Sequence, residues 1–241
     1  VLYQRARSFM AIGEYLKAID DLNDVLFPPH LTVDTNGYDE KNVRVGELLT
    51  FYEECWESPV GETTSAGILA EILDRRGYCW GNLNDDRQAV DDYSLSLEVN
   101  TDQTLCHLNR AVSYGRLRQD KLAIDDYLFV LDSGDIEEIS EGEFGCSFVD
   151  IWYELGLRYA NTGQKLEAKE AFDQVLHHDK THSEALIGRA FANMYVGSVF
   201  EVSNDYFSWI RNTNSPDDDA QGLRIAQWLR SKLQIPIRQA M

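Results

Sequence analysis

Ala89-Val90-Asp91-Asp92-Tyr93 returns 34 residues later as Ala123-Ile124-Asp125-Asp126-Tyr127. A fixed self-similarity of that length marks a chain built from stacked supersecondary units. The same block opens the chain as Ala18-Ile19-Asp20-Asp21-Leu22, a weaker copy stands at Ala168-Lys169-Glu170-Ala171-Phe172, and a further step of 34 reaches Val202. With Ala18, Ala89, Ala123, Ala168 and Val202 as anchors, the residue four places on is Leu22, Tyr93, Tyr127, Phe172 or Tyr206. Seven and eight places on stand Val25-Leu26, Ser96-Leu97, Val130-Leu131, Val175-Leu176 and Trp209-Ile210. Offsets of 0, 4, 7 and 8 trace one face of a helix. Twelve places before the anchor the residue is always small (Ala6, Gly77, Ala111, Gly156, Ala190), which is where a second helix would cross closely. Nine before it come Phe9, Trp80, Tyr114, Tyr159 and Asn193, and five before it Gly13, Asn84, Arg118, Gly163 and Gly197.

Each unit therefore predicts a helix A, a tight turn and a helix B, with Gly or Asn supplying positive φ where helix A ends. This order of residues resembles the tetratricopeptide repeat, whose signature is W-x2-L-G-x2-Y followed by a small residue, an aromatic and a proline. The best copy is Trp152-x2-Leu155-Gly156-x2-Tyr159, continuing to Gly163, Ala168 and Phe172. The closing proline is replaced by Thr101, Asp135 and Lys180, and the fifth copy has Asn193 in place of the aromatic and Val202 in place of Ala. The resemblance implies an all-α fold, an α-solenoid forming a right-handed superhelix of about five helix-turn-helix repeats. Their expected spans are 1–32, 70–103, 104–137, 149–182 and 183–214.

Two stretches break the period. The insertion 33–69 begins polar, with Asp34-Thr35-Asn36-Gly37 reading as a turn, then places Leu48, Phe51, Tyr52 and Cys55 at helical spacing, predicting a helix over 44–56. Ser58-Pro59-Val60-Gly61 ends it, and Thr63 or Thr64 can cap a long helix A reaching about residue 82. The second break, 138–148, carries Glu138, Glu141 and Glu143 and reads as an acidic loop. At the other end Ser215-Pro216-Asp217-Asp218-Asp219 is a helix start, predicting a C-terminal capping helix over 216–235. Leu223, Ile225, Trp228, Leu229 and Leu233 would cover the last repeat, as a solenoid end requires.

Helix A side chains beside the packed stripe are expected to line a concave groove. The register projects Tyr3, Arg7 and Met10, then Asn82, Leu108, Glu154, Asn161 and Ile187 onto that surface. The partner-binding set is Arg75, Tyr78, Asn109, Val112, Arg116, Tyr153, Leu157, Phe191, Met194 and Tyr195. Aromatic and aliphatic anchors mixed with Asn and Arg donors suit an extended or helical peptide. Family members that grip a chaperone C-terminal carboxylate use Lys, Asn and Arg on successive helices A. Here only Asn109-Arg110 fits that pattern; Asp74, Tyr78, Asp150 and Glu154 occupy the other places, and their charge argues against such a clamp.

A net charge of -19, from 22 basic and 41 acidic residues, argues against nucleic acid and anionic membrane, which require a basic stripe. It favours basic or hydrophobic protein partners. The Asp-Asp pairs are expected on the outer side of helix B as a solvated face. No apolar run approaches the roughly 20 residues of a membrane span, and mean hydropathy is -0.37. Val1 falls inside the first helix A without a Met before it, so the chain is expected to be a piece of a longer one and an upstream targeting segment stays open. Cys55, Cys79, Cys106 and Cys146 show no paired spacing, reading as reduced thiols in a cytoplasmic protein.

His177-His178-Asp179-x2-His182 is the sole His-rich cluster, and the turn expected at 179–181 destroys the register a helical metal pair needs. No H-E-x-x-H, G-x-S-x-G or phosphate-cradling glycine loop appears. The sequence thus offers no catalytic residues, no metal site and no cofactor. The reading is a non-catalytic protein-binding scaffold or adaptor. The alternatives are a structural, self-assembling subunit, motivated by Phe51 and Trp56, and a regulatory segment of a larger protein carrying a catalytic domain.

Overall fold

The computed structural model describes residues 1–27, 65–133, 147–196, 199–212 and 220–233. The expected helix over 44–56, most of the acidic loop and the 215–219 helix start lie outside them. The described residues form eleven α-helices and no strand. They divide into two compact units, Val1–Ser133 and Gly134–Met241.

The first unit holds three helix pairs: α1 (Leu2–Ala11) with α2 (Tyr15–Leu26), α3 (Ser65–Asn82) with α4 (Asp86–Val99), and α5 (Thr104–Arg116) with α6 (Asp120–Ser133). Each pair also packs on the next, α2 on α3 and α4 on α5. The second unit holds α7 (Phe148–Thr162) with α8 (Lys165–His178) and α9 (Ser183–Val196) with α10 (Val199–Asn212), followed by α11 (Ala220–Leu233), which lies on α9 and α10. The all-helical α-solenoid of tetratricopeptide-like pairs expected from the sequence is what these elements build.

The turn between helices A and B is one structure at four addresses. Gly13, Asn84, Arg118 and Gly163 have φ of 77°, 61°, 61° and 86°. In each case the amide of the following residue reaches back to the aromatic position of helix A: Glu14 to the Phe9 carbonyl, Asp85 to Trp80, Gln119 to Tyr114 and Gln164 to Tyr159, all at 2.9–3.0 Å. That amide-to-carbonyl bond closes a Schellman-type end and satisfies an orphan carbonyl.

Packing explains the small residue of helix A. Ala6, Gly77, Ala111, Gly156 and Ala190 are all buried. A Cβ on Gly156 would come within 2.7 Å of the Phe172 ring, and one on Gly188 of the next helix A would meet the same ring at 2.7 Å. Phe172, fully buried, is thus held between two glycine backbones, and around it Val175, Leu176, Ala185, Leu186, Ala190, Val202 and Trp209 form the core of the second unit. In the first unit Ala6, Ala18, Ile19, Leu22, Leu26, Leu69, Ile72 and Leu73 form one cluster. A second forms around Ala89, Tyr93, Leu97 and Cys106. In α11, Ile225 and Leu229 are buried and Trp228 packs beside them, whereas Leu223 and Leu233 are half exposed. The covering face is therefore narrower than the five residues expected.

The outer Asp-Asp pairs correct the sequence reading. Asp20, Asp91 and Asp125 are exposed, but Asp21, Asp92 and Asp126 are each only 4% exposed. Each accepts two bonds from an Arg of its own helix A, 16 residues earlier: Arg5 to Asp21 (2.7 and 2.5 Å), Arg76 to Asp92 (2.8 and 2.6 Å) and Arg110 to Asp126 (2.8 Å twice). Arg189 grips Asp205 in the same way at 2.9 and 2.7 Å. The guanidinium's third nitrogen reaches back to the preceding helix B: Arg76 to Asn23 (2.8 Å), Arg110 to Ser94 (3.3 Å) and Arg189 to Asp173 (2.6 Å). A single planar fork thereby ties helix A to helix B within a repeat and to the repeat before it. The fourth copy dispenses with charge, having buried Leu155 and Ala171 at these two positions.

Candidate functional site

Helix A surfaces are distinguished by polar atoms left without partners. On α3, Asp74 Oδ1 and Arg75 Nε are shielded from solvent and form no hydrogen bond to the described residues, and on the adjoining α5 the same is true of Asn109 Nδ2. Arg75 Nε stands 4.0 Å from Glu71 Oε1. Glu71 itself accepts from the Tyr3 hydroxyl at 2.5 Å, which brings α1 into the same surface. Burial pushes the Asp74 carboxyl up to about 6, against the opposing influence of the neighbouring Arg75. Native interiors rarely leave such groups unmatched.

The remaining first-unit positions fall around this centre. Tyr78 is half-buried and meets Tyr15 edge to face at 6.2 Å between centroids. Val112 is half-buried, while Leu108, projected onto the surface by register, is buried at 3% exposure. Arg116 is exposed but engaged, donating to the Gly81 carbonyl at 3.2 Å and to Asp86 at 3.3 Å. It braces the end of α3 rather than standing open.

In the second unit the projected residues are mostly aromatic. Tyr153 is half-buried, 5.0 Å from the His182 ring and 6.1 Å from Phe172. Leu157, Phe191 and Met194 rest against the core, and Ile187 is wholly within it at 6% exposure. Tyr195 is the open member, 64% exposed, with the Phe191 ring 5.5 Å away. Lys165 lies 5.8 and 5.3 Å from those two ring centres. Register thus over-projected the surface where large residues turn inward to fill the space between successive helices A.

Other candidates resolve into structural roles. His182 Nδ1 accepts from the Ala185 amide at 3.2 Å and so caps α9, while the His178 ring lies 5.2 Å from Phe148 at the end of α8. Cys79 and Cys106 are buried thiols, and burial pushes Cys79 up to about 12 and Cys106 higher still. Neither is a nucleophile near neutral pH. Cys55 and Cys146 lie outside the described residues. Among the described residues no helix is long and apolar enough to cross a membrane.

Comparison with known proteins adds to this geometry. Residues 149–177 match the tetratricopeptide repeat family model. Residues 149–177 are thus a tetratricopeptide repeat, formed by α7 and α8. The matched stretch is the copy that keeps Leu155 and Ala171, where the others carry the Arg–Asp pair. No curated protein matches the sequence. Among solved structures, YrrB, described as a TPR protein with an unusual peptide-binding site, superposes with a TM-score of 0.63 at 13% identity, covering 94% of this chain and 90% of that one. MamA AMB-1 superposes with a TM-score of 0.62 at 13% identity over 98% and 96% of the two chains. Another MamA crystal structure gives 0.58 at 14% identity over 86% and 93%. At these identities the likeness is one of fold.

Proposed function

We propose that this tetratricopeptide-repeat chain is a non-catalytic protein-interaction module that binds an extended segment of a partner on its helix A surface. The observation that carries the reading is the cluster of Asp74, Arg75 and Asn109 on α3 and α5, whose Oδ1, Nε and Nδ2 atoms have no hydrogen-bond partner among the described residues. A peptide backbone offers amide donors and carbonyl acceptors at regular spacing, and a small shift of these side chains would turn the shielded atoms toward it. Within the first unit the half-buried Tyr78 and Val112, and within the second the half-buried Tyr153 and exposed Tyr195, supply apolar anchors of the kind that dominate binding energy. Peptide binding by YrrB, a protein of the same fold, supports the reading.

Asp74 and Glu71, with the chain's net charge of -19, favour a basic segment with apolar residues. Chaperone-type acidic C-termini are disfavoured by the same charges. The five repeats at 1–32, 70–103, 104–137, 149–182 and 183–214 are read as one binding domain in a reducing, cytoplasmic setting. Self-assembly is the second reading, favoured by the exposure of Phe207, Leu223 and Leu233 on α10 and α11; a monomeric mass by light scattering at high concentration would remove it.

The test is selection of peptides from a random library, followed by calorimetry on the best binder. Asn109→Ala and Tyr195→Ala should each weaken binding at least tenfold while leaving helicity unchanged. Equal affinity in both variants would refute the helix A surface as the site.

A further inference from the structure

Four guanidinium forks of one design differ in what covers them. Arg5, Arg76, Arg110 and Arg189 each hold the buried Asp of their own helix B with Nε and one terminal nitrogen. In three of them the remaining nitrogen donates to the helix B before it, at Asn23, Ser94 and Asp173. The side chains of Arg76, Arg110 and Arg189 are accordingly only 15%, 18% and 22% exposed. Arg5 is 56% exposed, and its third nitrogen has no hydrogen-bond partner among the described residues.

The three acceptors share a sequence context. Each follows a buried core residue by one place and precedes a buried leucine by three: Leu22-Asn23-x2-Leu26, Tyr93-Ser94-x2-Leu97 and Phe172-Asp173-x2-Leu176. Where no such Arg comes next, the acceptor is replaced: Leu128 stands there ahead of the fourth copy, which has Leu155 for Arg, and Phe207 stands there in the fifth. Donors and acceptors thus come as a matched set, in which Arg5 is the one donor left over among the described residues. All three acceptors are engaged, so a second copy of these helices offers Arg5 no equivalent partner. The rest of the α1 edge agrees. Three places past the Arg stand Cys79, Ser113 and Ala192, all buried, whereas Ser8 is exposed. Leu2 is half-buried where Leu73 and Leu186 are buried.

We infer that the edge of α1 formed by Leu2, Arg5 and Ser8 is a docking surface for an α-helix of a partner protein that presents Asp, Asn or Ser three residues before a leucine. Such a helix gives Arg5 the acceptor that its three counterparts have, and its leucine covers the apolar part of the edge. These three residues fall within about 60° of Arg5 around α1, while Tyr3, Arg7 and Met10 lie roughly 140–160° away. The surface is therefore separate from the proposed peptide-binding surface and stands or falls independently of it.

The experiment is an NMR titration of the full chain with a helix-stapled peptide copying residues 165–178, which carries Asp173 and Leu176. Saturable shifts of the α1 amides, centred on Arg5 and Ser8, are expected. Peptides with Asp173→Ala or Leu176→Ala should bind at least tenfold more weakly. On the chain, Arg5→Lys keeps a charge beside Asp21 but loses the planar fork, and should weaken binding at least tenfold. Ser8→Glu, at an exposed position, should do the same with helicity unchanged, and serves if the lysine variant fails to fold. A library-selected peptide bound at Asn109 should not displace the stapled helix, so failure of one surface is distinguishable from failure of the other. Absence of saturable shifts, equal binding of the Asp173→Ala peptide or unchanged binding by Ser8→Glu would overturn the proposal. So would dimers of the chain alone that Ser8→Glu abolishes, because a second copy would then be the occupant.

Discussion

Asp74 is the residue whose chemistry is least accounted for by folding. Its carboxyl is raised to about 6, first by burial. A carboxyl raised in the folded state above its ordinary value near 4 is easier to keep folded when protonated. Its stabilising protonation is fully present below that value and lost as pH rises through about 6. Asp74→Asn should therefore be more stable than the parent above pH 6, with the advantage fading toward pH 4, as read by urea titrations across that range. A constant difference at all pH values would contradict the burial argument. The Arg–Asp pairs make the opposite case. Arg110→Ala leaves Asp126 buried with only His107 beside it, at 2.7 Å, and should cost about 3–5 kcal/mol. The double change Arg110→Leu with Asp126→Ala copies Leu155 and Ala171 of the fourth repeat, and should recover most of that loss in the same unfolding assay.

At the scale of the element, the helix pair is largely legible in the amino-acid sequence. Anchors, small crossing residues and positive-φ turns all fell where offsets from Ala18, Ala89, Ala123 and Ala168 placed them, because each is a local steric demand repeated at each copy. The ion pairs were missed although Arg5, Arg76, Arg110 and Arg189 recur with the same period. Charge on a helix was read as solvated, and periodicity alone does not reveal a guanidinium and a carboxylate that bury each other. The site was less legible than the fold. Leu108 and Ile187 turned inward, and Arg116 was taken up by Asp86, because side chains between successive helices A choose between groove and core by volume. Volume is also the basis of a third prediction. Gly156→Ala drives a methyl to within 2.7 Å of Phe172, which Gly188 blocks on its other side, so the ring cannot retreat. The variant should lose about 1–3 kcal/mol, measured by thermal or denaturant unfolding. An unchanged midpoint would mean that the ring has room the packing does not show.

For the molecule as a whole, the contrast between helices A and helices B recurs in both units. Helix B and its buried carboxylates hold repeats together, and helix A carries unsatisfied groups and open aromatics. A charge of -19 would make the proposed association with a basic segment salt-dependent, since exposed charges are screened over about 10 Å at 0.1 M ionic strength. The central claim is that the ligand lies on helix A, and hydrogen–deuterium exchange of the chain with and without a library-selected peptide tests it most directly. Protection is predicted on α3 and α5, around Asp74, Arg75 and Asn109, with α4 and α6 unchanged. Protection confined to the helix B segments, with α3 and α5 unaltered, would contradict the account.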